Sequence, residues 1–178
     1  MSAVPTAYVV DDDESVRTLW CWLMESNGLA VRAFPTAAAF IEGYRRGDPG
    51  CLVLDVLLPG MTGPQLQDYL RREAIELPIV FVSGHGDVPT AVKAIQGGAV
   101  DFLQKPFDYR EAVAVVQRAL ERDAQARERR ARQAELAGRF AALTAREREV
   151  MRRMVEGKPN KVIAEELEIS VRTCSSWP

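Results

Sequence analysis

The side chains best suited to chemistry in this chain are ionisable or hydroxyl groups that lie at or near the ends of short apolar runs. They comprise three carboxylates, one hydroxyl and one ammonium: Asp11, Asp12, Asp55, Ser83 and Lys105. Carboxylate oxygens are ligands that Mg²⁺ prefers. Phosphoryl transfer to a carboxylate needs a metal ion to neutralise phosphoryl oxygens, and a lysine and a hydroxyl can hold the others. If the fold brings these groups together, they indicate phosphoryl transfer with a carboxylate as the nucleophile.

Asp55 ends an apolar run, Cys51–Leu54, that lies between Pro49-Gly50 and Pro59-Gly60. Such a run is typical of a fully buried strand in a parallel sheet. An aspartate at its end lies at the carboxyl edge, where open α/β sheets bind ligands. A single aspartate at a strand end more often only caps the following turn. The other four groups, each near the end of a further apolar run, favour a functional role.

Five short strands alternate with helices in this part of the chain. The predicted strands are Tyr8–Val10, Leu29–Phe34, Cys51–Asp55, Pro78–Val82 and Val100–Leu103. The predicted helices are Glu14–Asn27, Thr36–Arg46, Pro64–Ile75, Val88–Gln96 and Asp108–Leu120. This alternation predicts an α/β fold with a doubly wound, five-stranded parallel sheet of the flavodoxin type, order 2-1-3-4-5, because a barrel needs about 250 residues. Strands one, three, four and five are then neighbours, and the five groups converge on one crevice.

The composition is that of a globular protein without a long apolar segment. Of 178 residues, 47% are hydrophobic and 27% charged, and the formal net charge of -2 gives no sign of a generally basic, nucleic-acid-binding chain. We expect no signal peptide, and no apolar run approaches the roughly 18 residues of a membrane span. Three cysteines without metal-like spacing, Cys21, Cys51 and Cys174, favour free thiols in a reducing cytoplasm.

Four motifs together cover about two thirds of the chain. They are Val9-Val10-Asp11-Asp12, Leu54-Asp55 to Pro59-Gly60-Met61-Thr62-Gly63, Val82-Ser83-Gly84-His85-Gly86-Asp87-Val88 and Asp101-Phe102-Leu103-Gln104-Lys105-Pro106-Phe107. In this order and spacing, this part of the chain resembles the receiver domain of bacterial two-component response regulators. The resemblance implies that a sensor histidine kinase phosphorylates Asp55 and that the phosphorylated protein forms a homodimer.

The same resemblance assigns further roles at the predicted crevice. It implies that Asp12, Asp55 and the carbonyl of Leu57 hold Mg²⁺, with Asp11 completing the acidic pocket. Ser83 and Phe102 stand at the family's switch positions and Lys105 at its phosphate-pairing lysine, with a cis Lys105-Pro106 bond. Phosphorylation adds about 1.5 to 2 negative charges beside Ser83 and Lys105, so we expect Ser83 to move inward and Phe102 to follow. His85, with Leu57, is expected to flank the phosphate and to tune its lifetime.

The amino-acid composition changes after the predicted sheet. We expect a receiver domain over 1–122, a solvated helical linker over 123–141 that lacks Gly and Pro in its first part, and an incomplete helix-turn-helix unit over 142–178. Thr144 and Glu147 form a capping-box pattern ahead of an apolar-periodic helix. A second helix is expected over Asn160–Leu167, and Ser170 is expected to cap a third.

Three stretches of this last unit form a further pattern: Leu143 to Val150, Glu156-Gly157-Lys158-Pro159-Asn160-Lys161-Val162-Ile163-Ala164 and Ile169-Ser170-Val171-Arg172-Thr173. The pattern resembles the LuxR-type helix-turn-helix and, with the receiver motifs, indicates the FixJ-like branch of regulators. The family pattern continues through a full recognition helix, which supplies base contacts in the major groove. Cys174 to Pro178 depart from that pattern, which argues against specific DNA binding by this chain. We also expect the apolar faces of Val150 to Leu167 to be poorly covered.

Three other classes of protein share some of these features. One alternative is a receiver-only protein that acts by protein-protein contact or as a phosphate sink; the receiver itself is not an enzyme beyond self-phosphorylation and autodephosphorylation. A phosphatase of the haloacid dehalogenase kind would need a second aspartate where Leu57 stands. A flavodoxin would need a hydroxyl-rich phosphate loop after the first strand, where Asp11 to Asp13 would repel phosphate.

Overall fold

The computed structural model describes residues 4–84, 92 and 95–167. The chain divides into two compact units, Met1–Arg127 and Glu128–Pro178. Most of the helix predicted over Val88–Gln96 and the helix predicted after Ser170 lie outside the described residues. Within the described part of the chain, no helix is both long enough and apolar enough to cross a membrane.

The first unit contains a parallel sheet of five strands. They are β1 (Thr6–Val10), β2 (Ala30–Phe34), β3 (Gly50–Asp55), β4 (Ile79–Ser83) and β5 (Asp101–Gln104). The strand order is β2-β1-β3-β4-β5, and every pairing is parallel. The predicted fold class and strand order are therefore confirmed. All six residues of β3 are buried, because apolar clusters cover both faces of this central strand.

Successive residues of the strands face opposite sides of the sheet and enter two separate apolar clusters. One side buries Tyr8, Phe40, Leu52, Leu54, Leu66 and Phe81, and the other buries Val9, Trp20, Val53, Val80, Val82 and Leu103. Burying one such side chain contributes about 1.5 to 3 kcal/mol. The two clusters therefore hold the strands in one register, because a slip by one residue would exchange the two faces.

The helices of the first unit largely follow the sequence pattern. They are α1 (Glu14–Ser26), α2 (Ala37–Gly43), α3 (Gly63–Arg72) and the first part of the long helix α4 (Tyr109–Ala142), which continues past the unit boundary at Arg127. Helix α2 is shorter than predicted because Tyr44 has an extended backbone and packs its ring 5.2 Å from that of Tyr8. Helix α4 continues past Leu120 through the charged run that follows it.

The start of that charged run is not the solvated face expected from its composition. Asp123 is only 2% exposed, and its Oδ2 accepts hydrogen bonds from the Gly50 amide at 2.9 Å and from Arg127 Nε at 2.6 Å. Arg127 also donates to the carbonyls of Gly47 and Asp48. The expectation of a solvated helix is wrong at these two residues, which anchor α4 to the loop before β3.

The second unit contains two further short helices after α4, α5 (Ala145–Val155) and α6 (Asn160–Glu166). The predicted capping box is present, since Thr144 and Glu147 each accept a hydrogen bond from the other's backbone amide. Val150, Ile163, Ala164 and Leu167 are buried together. The expectation that these apolar faces are poorly covered is therefore wrong for these four residues, although Val155 is 80% exposed.

Candidate functional site

Lys105 lies at the centre of the candidate site, at the carboxyl edge of the sheet. Its Nζ donates to Asp55 Oδ2 at 2.7 Å and to Asp11 Oδ2 at 2.8 Å. Asp11 follows β1, Asp55 ends β3, and Lys105 follows β5. Because all five strands are parallel, residues separated by 94 and 50 positions in the chain meet at one edge.

Asp55 is held by the strand on one side and by the following loop on the other. Its carboxylate is buried, and its Oδ1 accepts a hydrogen bond from the Leu57 amide at 2.8 Å. The next turn returns close to the strand, because the Gly63 amide donates to the Val56 carbonyl at 3.1 Å. A Cβ atom at Gly63 would collide with the Asp55 carbonyl oxygen. This close approach explains the glycine at the start of α3.

The turn from Asp11 to Asp13 presents two further carboxylates. Asp11 is 2% exposed, and its Oδ1 accepts from the Asp13 amide at 2.9 Å. Asp13 caps α1 by accepting from the Ser15 amide at 2.8 Å. Asp12, between them, is exposed. The turn is therefore fixed by its neighbours while the Asp12 side chain faces solvent.

Three carboxylates of this site meet the distance requirement for a shared cation. One oxygen from each of Asp11, Asp12 and Asp55 lies within 4.8 Å of the other two. Lys105 neutralises only one of their three charges, which leaves two negative charges in formal excess. A hard divalent cation with oxygen ligands, such as Mg²⁺, suits this donor set and its charge. The residues present therefore fit the metal that the sequence suggested.

Burial and pairing oppose each other in the electrostatics of the site. Burial raises the pKa of Asp11, although the hydrogen bonds from Lys105 and the Asp13 amide act in the other direction. Burial alone would lower the pKa of Lys105, but its hydrogen bonds to Asp11 and Asp55 outweigh that effect and raise it. Lys105 is therefore an ammonium at neutral pH, and it offsets part of the repulsion between the two buried carboxylates.

Ser83 lies on β4, the strand beside Asp55, and Phe102 lies on β5, the next strand of the sheet. Ser83 ends β4 and is 1% exposed, and its carbonyl accepts from the Lys105 amide at 2.7 Å. Phe102, on β5, is partly buried and packs against the apolar cluster that contains Phe81. The Lys105-Pro106 peptide bond is cis.

The remaining predicted site residues differ in what the structure describes of them. Leu57 is 58% exposed, and its amide donates to Asp55 Oδ1. His85 lies outside the described residues. Sequence reasoning missed Arg17, whose Nη1 donates to the carbonyl oxygens of Asp11 and Asp12. Its position near the start of α1, a few residues after the acidic run, was the available signal.

Comparisons with known proteins agree with this geometry. Residues 7–117 match the response regulator receiver domain, and residues 141–177 match the bacterial regulatory proteins of the luxR family. The transcriptional regulatory protein FixJ of Azorhizobium caulinodans is 42% identical over 166 residues, which is 93% of this chain and 79% of that one. The C4-dicarboxylate transport transcriptional regulatory protein DctR of Rhodobacter capsulatus is 43% identical over 171 residues, 94% of this chain and 86% of that one.

Solved structures give the same result. The response regulator StyR superposes with a TM-score of 0.85 at 41% identity, covering 97% of this chain and 87% of that one. Full-length FixJ from B. japonicum superposes with a TM-score of 0.65 at 38% identity, covering 98% and 86%. With both family models matched in chain order and relatives this similar, the chain belongs to the two-component response regulators of transcription, with a receiver domain followed by a LuxR-type domain.

Proposed function

We propose that Asp55 is the phosphoacceptor of this response regulator and that a sensor histidine kinase is the donor. The observation that carries the proposal is the contact of Lys105 Nζ with Asp55 Oδ2 at 2.7 Å, at the end of a fully buried strand. This contact places a fixed positive charge where phosphoryl oxygens would lie after transfer to Asp55. Surface ion pairs between mobile side chains would not provide such preorganisation.

The proposed transfer is a single displacement at phosphorus. A carboxylate oxygen of Asp55 forms a new P–O bond while the P–N bond of the donor phosphohistidine breaks, and the released imidazole keeps the bonding electrons and takes a proton from water. Lys105 pairs with a phosphoryl oxygen as charge develops there. Asp11, Asp12, Asp55 and the Leu57 carbonyl would hold Mg²⁺, which supplies neutralisation of the phosphoryl oxygens when bound.

Phosphorylation would redistribute the contacts of Lys105. The added charge of about -1.5 to -2 competes with Asp11 for Lys105 Nζ, which now divides its hydrogen bonds between Asp11 and Asp55. The Ser83 hydroxyl, at the end of the neighbouring strand, would turn to a phosphoryl oxygen, and Phe102 would move into the space released. A shift from 1:99 to 99:1 between two states needs roughly 5.5 kcal/mol, which a few charge-assisted hydrogen bonds can supply.

We propose that this switch controls homodimerisation and, through the LuxR-type unit, transcription. Hydrolysis of the acyl phosphate by water in the same site would reset it, so that the only reactions of the protein are its own phosphorylation and dephosphorylation. The match of residues 141–177 to the luxR family supports DNA binding by this unit. The alternative is a protein that acts through protein contacts or as a phosphate sink.

Phosphorylation is tested with a small phosphodonor and Mg²⁺, followed by intact mass. The wild type should gain the mass of one phosphoryl group, and Asp55→Asn should gain none. Asp68→Asn is a matched control, because Asp68 is an exposed helix residue that pairs with Arg71. Equal labelling of Asp55→Asn and wild type would refute the assignment.

DNA binding is tested separately by gel shift at low and high salt with the phosphorylated protein. A complex that weakens as salt rises supports the transcriptional output. Absence of any complex at low salt, together with normal phosphorylation of Asp55, supports the protein-contact alternative.

A further inference from the structure

We infer that Arg17 is a positioning residue for the cation site, an inference that rests on the proposed function of Asp55. Arg17 lies in the first turns of α1, and its Nη1 donates to the Asp11 carbonyl at 2.8 Å and to the Asp12 carbonyl at 2.9 Å. These are the backbone oxygens of two of the three residues whose carboxylates converge. One guanidinium nitrogen therefore fixes the two peptide groups that carry these ligands.

The helix explains why Arg17 can reach backward along the chain. Side chains on a helix point toward its N-terminus, and Asp13 caps α1 and accepts the backbone hydrogen bond from the Arg17 amide at 3.0 Å. The side chain then extends past the cap to Asp12 and Asp11. The cap, the helix start and the acidic turn thus form one hydrogen-bonded unit.

Asp12 is the ligand that depends most on this unit. Asp11 and Asp55 are buried and both accept hydrogen bonds from Lys105. Asp12 is exposed, so packing does little to orient its carboxylate. Its peptide carbonyl is held by Arg17, and the direction of its Cα–Cβ bond follows from that peptide. Groups that orient metal ligands without touching the metal typically change affinity by about 10- to 100-fold when removed.

Electrostatics predicts the opposite effect of removing Arg17, which makes the inference easy to refute. The guanidinium adds a positive charge near an acidic site, so its removal without any loss of geometry would strengthen cation binding. A positioning role predicts weaker binding instead. The sign of the change in affinity therefore separates the two roles.

The test measures Mg²⁺ binding to the full-length protein by calorimetry at constant ionic strength. Arg17→Met should bind about tenfold more weakly than wild type. Arg17→Lys should stay within about threefold, because both hydrogen bonds come from one nitrogen and an ammonium offers three donors. The control is Arg71→Met, which removes the same charge from an exposed pair on α3 and should bind like wild type.

A second readout separates positioning from loss of folded protein. With a small phosphodonor, Arg17→Met should need about tenfold more Mg²⁺ for half-maximal labelling of Asp55, yet reach the wild-type rate within about twofold at saturation. Irreversibly misfolded protein would lower the maximal rate and leave the half-saturating concentration unchanged. Reversible unfolding would raise the half-saturating concentration, so circular dichroism without Mg²⁺ must show that the variant is folded. If circular dichroism shows that Arg17→Met does not fold, Arg17→Gln replaces it, because its shorter amide cannot reach both carbonyls.

Each result decides the matter. Weaker binding by Arg17→Met or Arg17→Gln, with recovery in Arg17→Lys, supports the inference. Binding equal to or tighter than that of Arg71→Met overturns it and leaves the proposed phosphorylation of Asp55 intact. A wild-type protein that binds no Mg²⁺ overturns the cation site itself and this inference with it.

Discussion

Removing either partner of the Asp123–Arg127 pair should destabilise the receiver unit, and removing the arginine should cost more. Asp123 is 2% exposed and its Oδ2 accepts from the Gly50 amide and from Arg127 Nε. The Arg127 side chain is 31% exposed. The two substitutions therefore leave different groups behind, a solvent-accessible cation in one case and a buried anion in the other.

The magnitudes follow from these remaining groups. In Asp123→Ala, the Gly50 amide loses its buried acceptor, which costs about 1 to 3 kcal/mol. The Arg127 guanidinium can be hydrated instead. Asp123 Oδ1 has no hydrogen-bond partner among the described residues, so the substitution also removes the desolvation cost of that oxygen. We expect a net loss of about 2 kcal/mol. In Arg127→Met the buried carboxylate keeps only the Gly50 amide, and we expect about 3 to 5 kcal/mol.

The assay is urea unfolding of the full-length chain, followed by hydrogen exchange at the Gly50 amide. Arg118→Met is the matched control, because Arg118 lies on the same helix as Arg127 and forms an exposed pair with Asp101 of β5. Its removal should cost less than about 1 kcal/mol. Free energies of unfolding in which Asp123→Ala costs as much as Arg127→Met, or in which neither exceeds the control, would refute this reasoning.

Three further outcomes follow from the site, one thiol and the second unit. Gly63→Ala should slow labelling of Asp55 at least tenfold, measured by intact mass, because its Cβ would collide with the Asp55 carbonyl. Burial raises the pKa of Cys51 from 9.0 to about 12, so alkylation of this thiol at pH 8 should require unfolding. The stability that the buried neutral thiol contributes is complete below pH 9 and is lost as pH rises toward 12. Hydrogen bonds from Thr144 lower the pKa of exposed Glu147. Circular dichroism should therefore show that α5 loses its cap as pH falls from about 4.5 through that lowered pKa.

The fold was predictable because its determinants are local and repeated. Apolar runs such as Cys51–Leu54 end at Pro-Gly or at charged residues, and strands alternate with amphipathic helices. Few topologies satisfy short, right-handed crossovers, and 2-1-3-4-5 is the order of the five-stranded flavodoxin type. The convergence of Asp11, Asp55 and Lys105 followed in turn, because the carboxyl ends of neighbouring parallel strands share one edge.

The contacts of Asp123, Arg127 and Arg17 were not predictable in the same way. Each lies in a run that reads as solvated helix surface, and each forms hydrogen bonds with backbone groups whose positions depend on the completed fold. Periodicity reports which face of a helix is apolar, but Asp123 is a carboxylate on a buried face. The charged composition of residues 121–135 therefore hid the point where α4 is anchored to the loop before β3.

Strand β3 has the Asp123–Arg127 pair at one end and the Asp55 site at the other. We expect changes at the two ends to affect different properties, stability at one end and Mg²⁺ binding at the other. The amide of Gly50, at its first residue, binds Asp123, and its last residue is Asp55. All six residues are buried, and each is paired with β1, with β4 or with both. The strand therefore cannot shift by part of a residue without losing both ladders. A change at Asp123 should therefore alter how often the unit unfolds and leave the Mg²⁺ concentration for half-maximal labelling unchanged. Arg17→Met should raise the Mg²⁺ concentration for half-maximal labelling and leave the free energy of unfolding unchanged, because it acts on the turn that carries Asp12 and not on the buried strand. An Asp123→Ala protein that remained folded but needed more Mg²⁺ for half-maximal labelling would contradict this, because it would show that β3 transmits a displacement to Asp55.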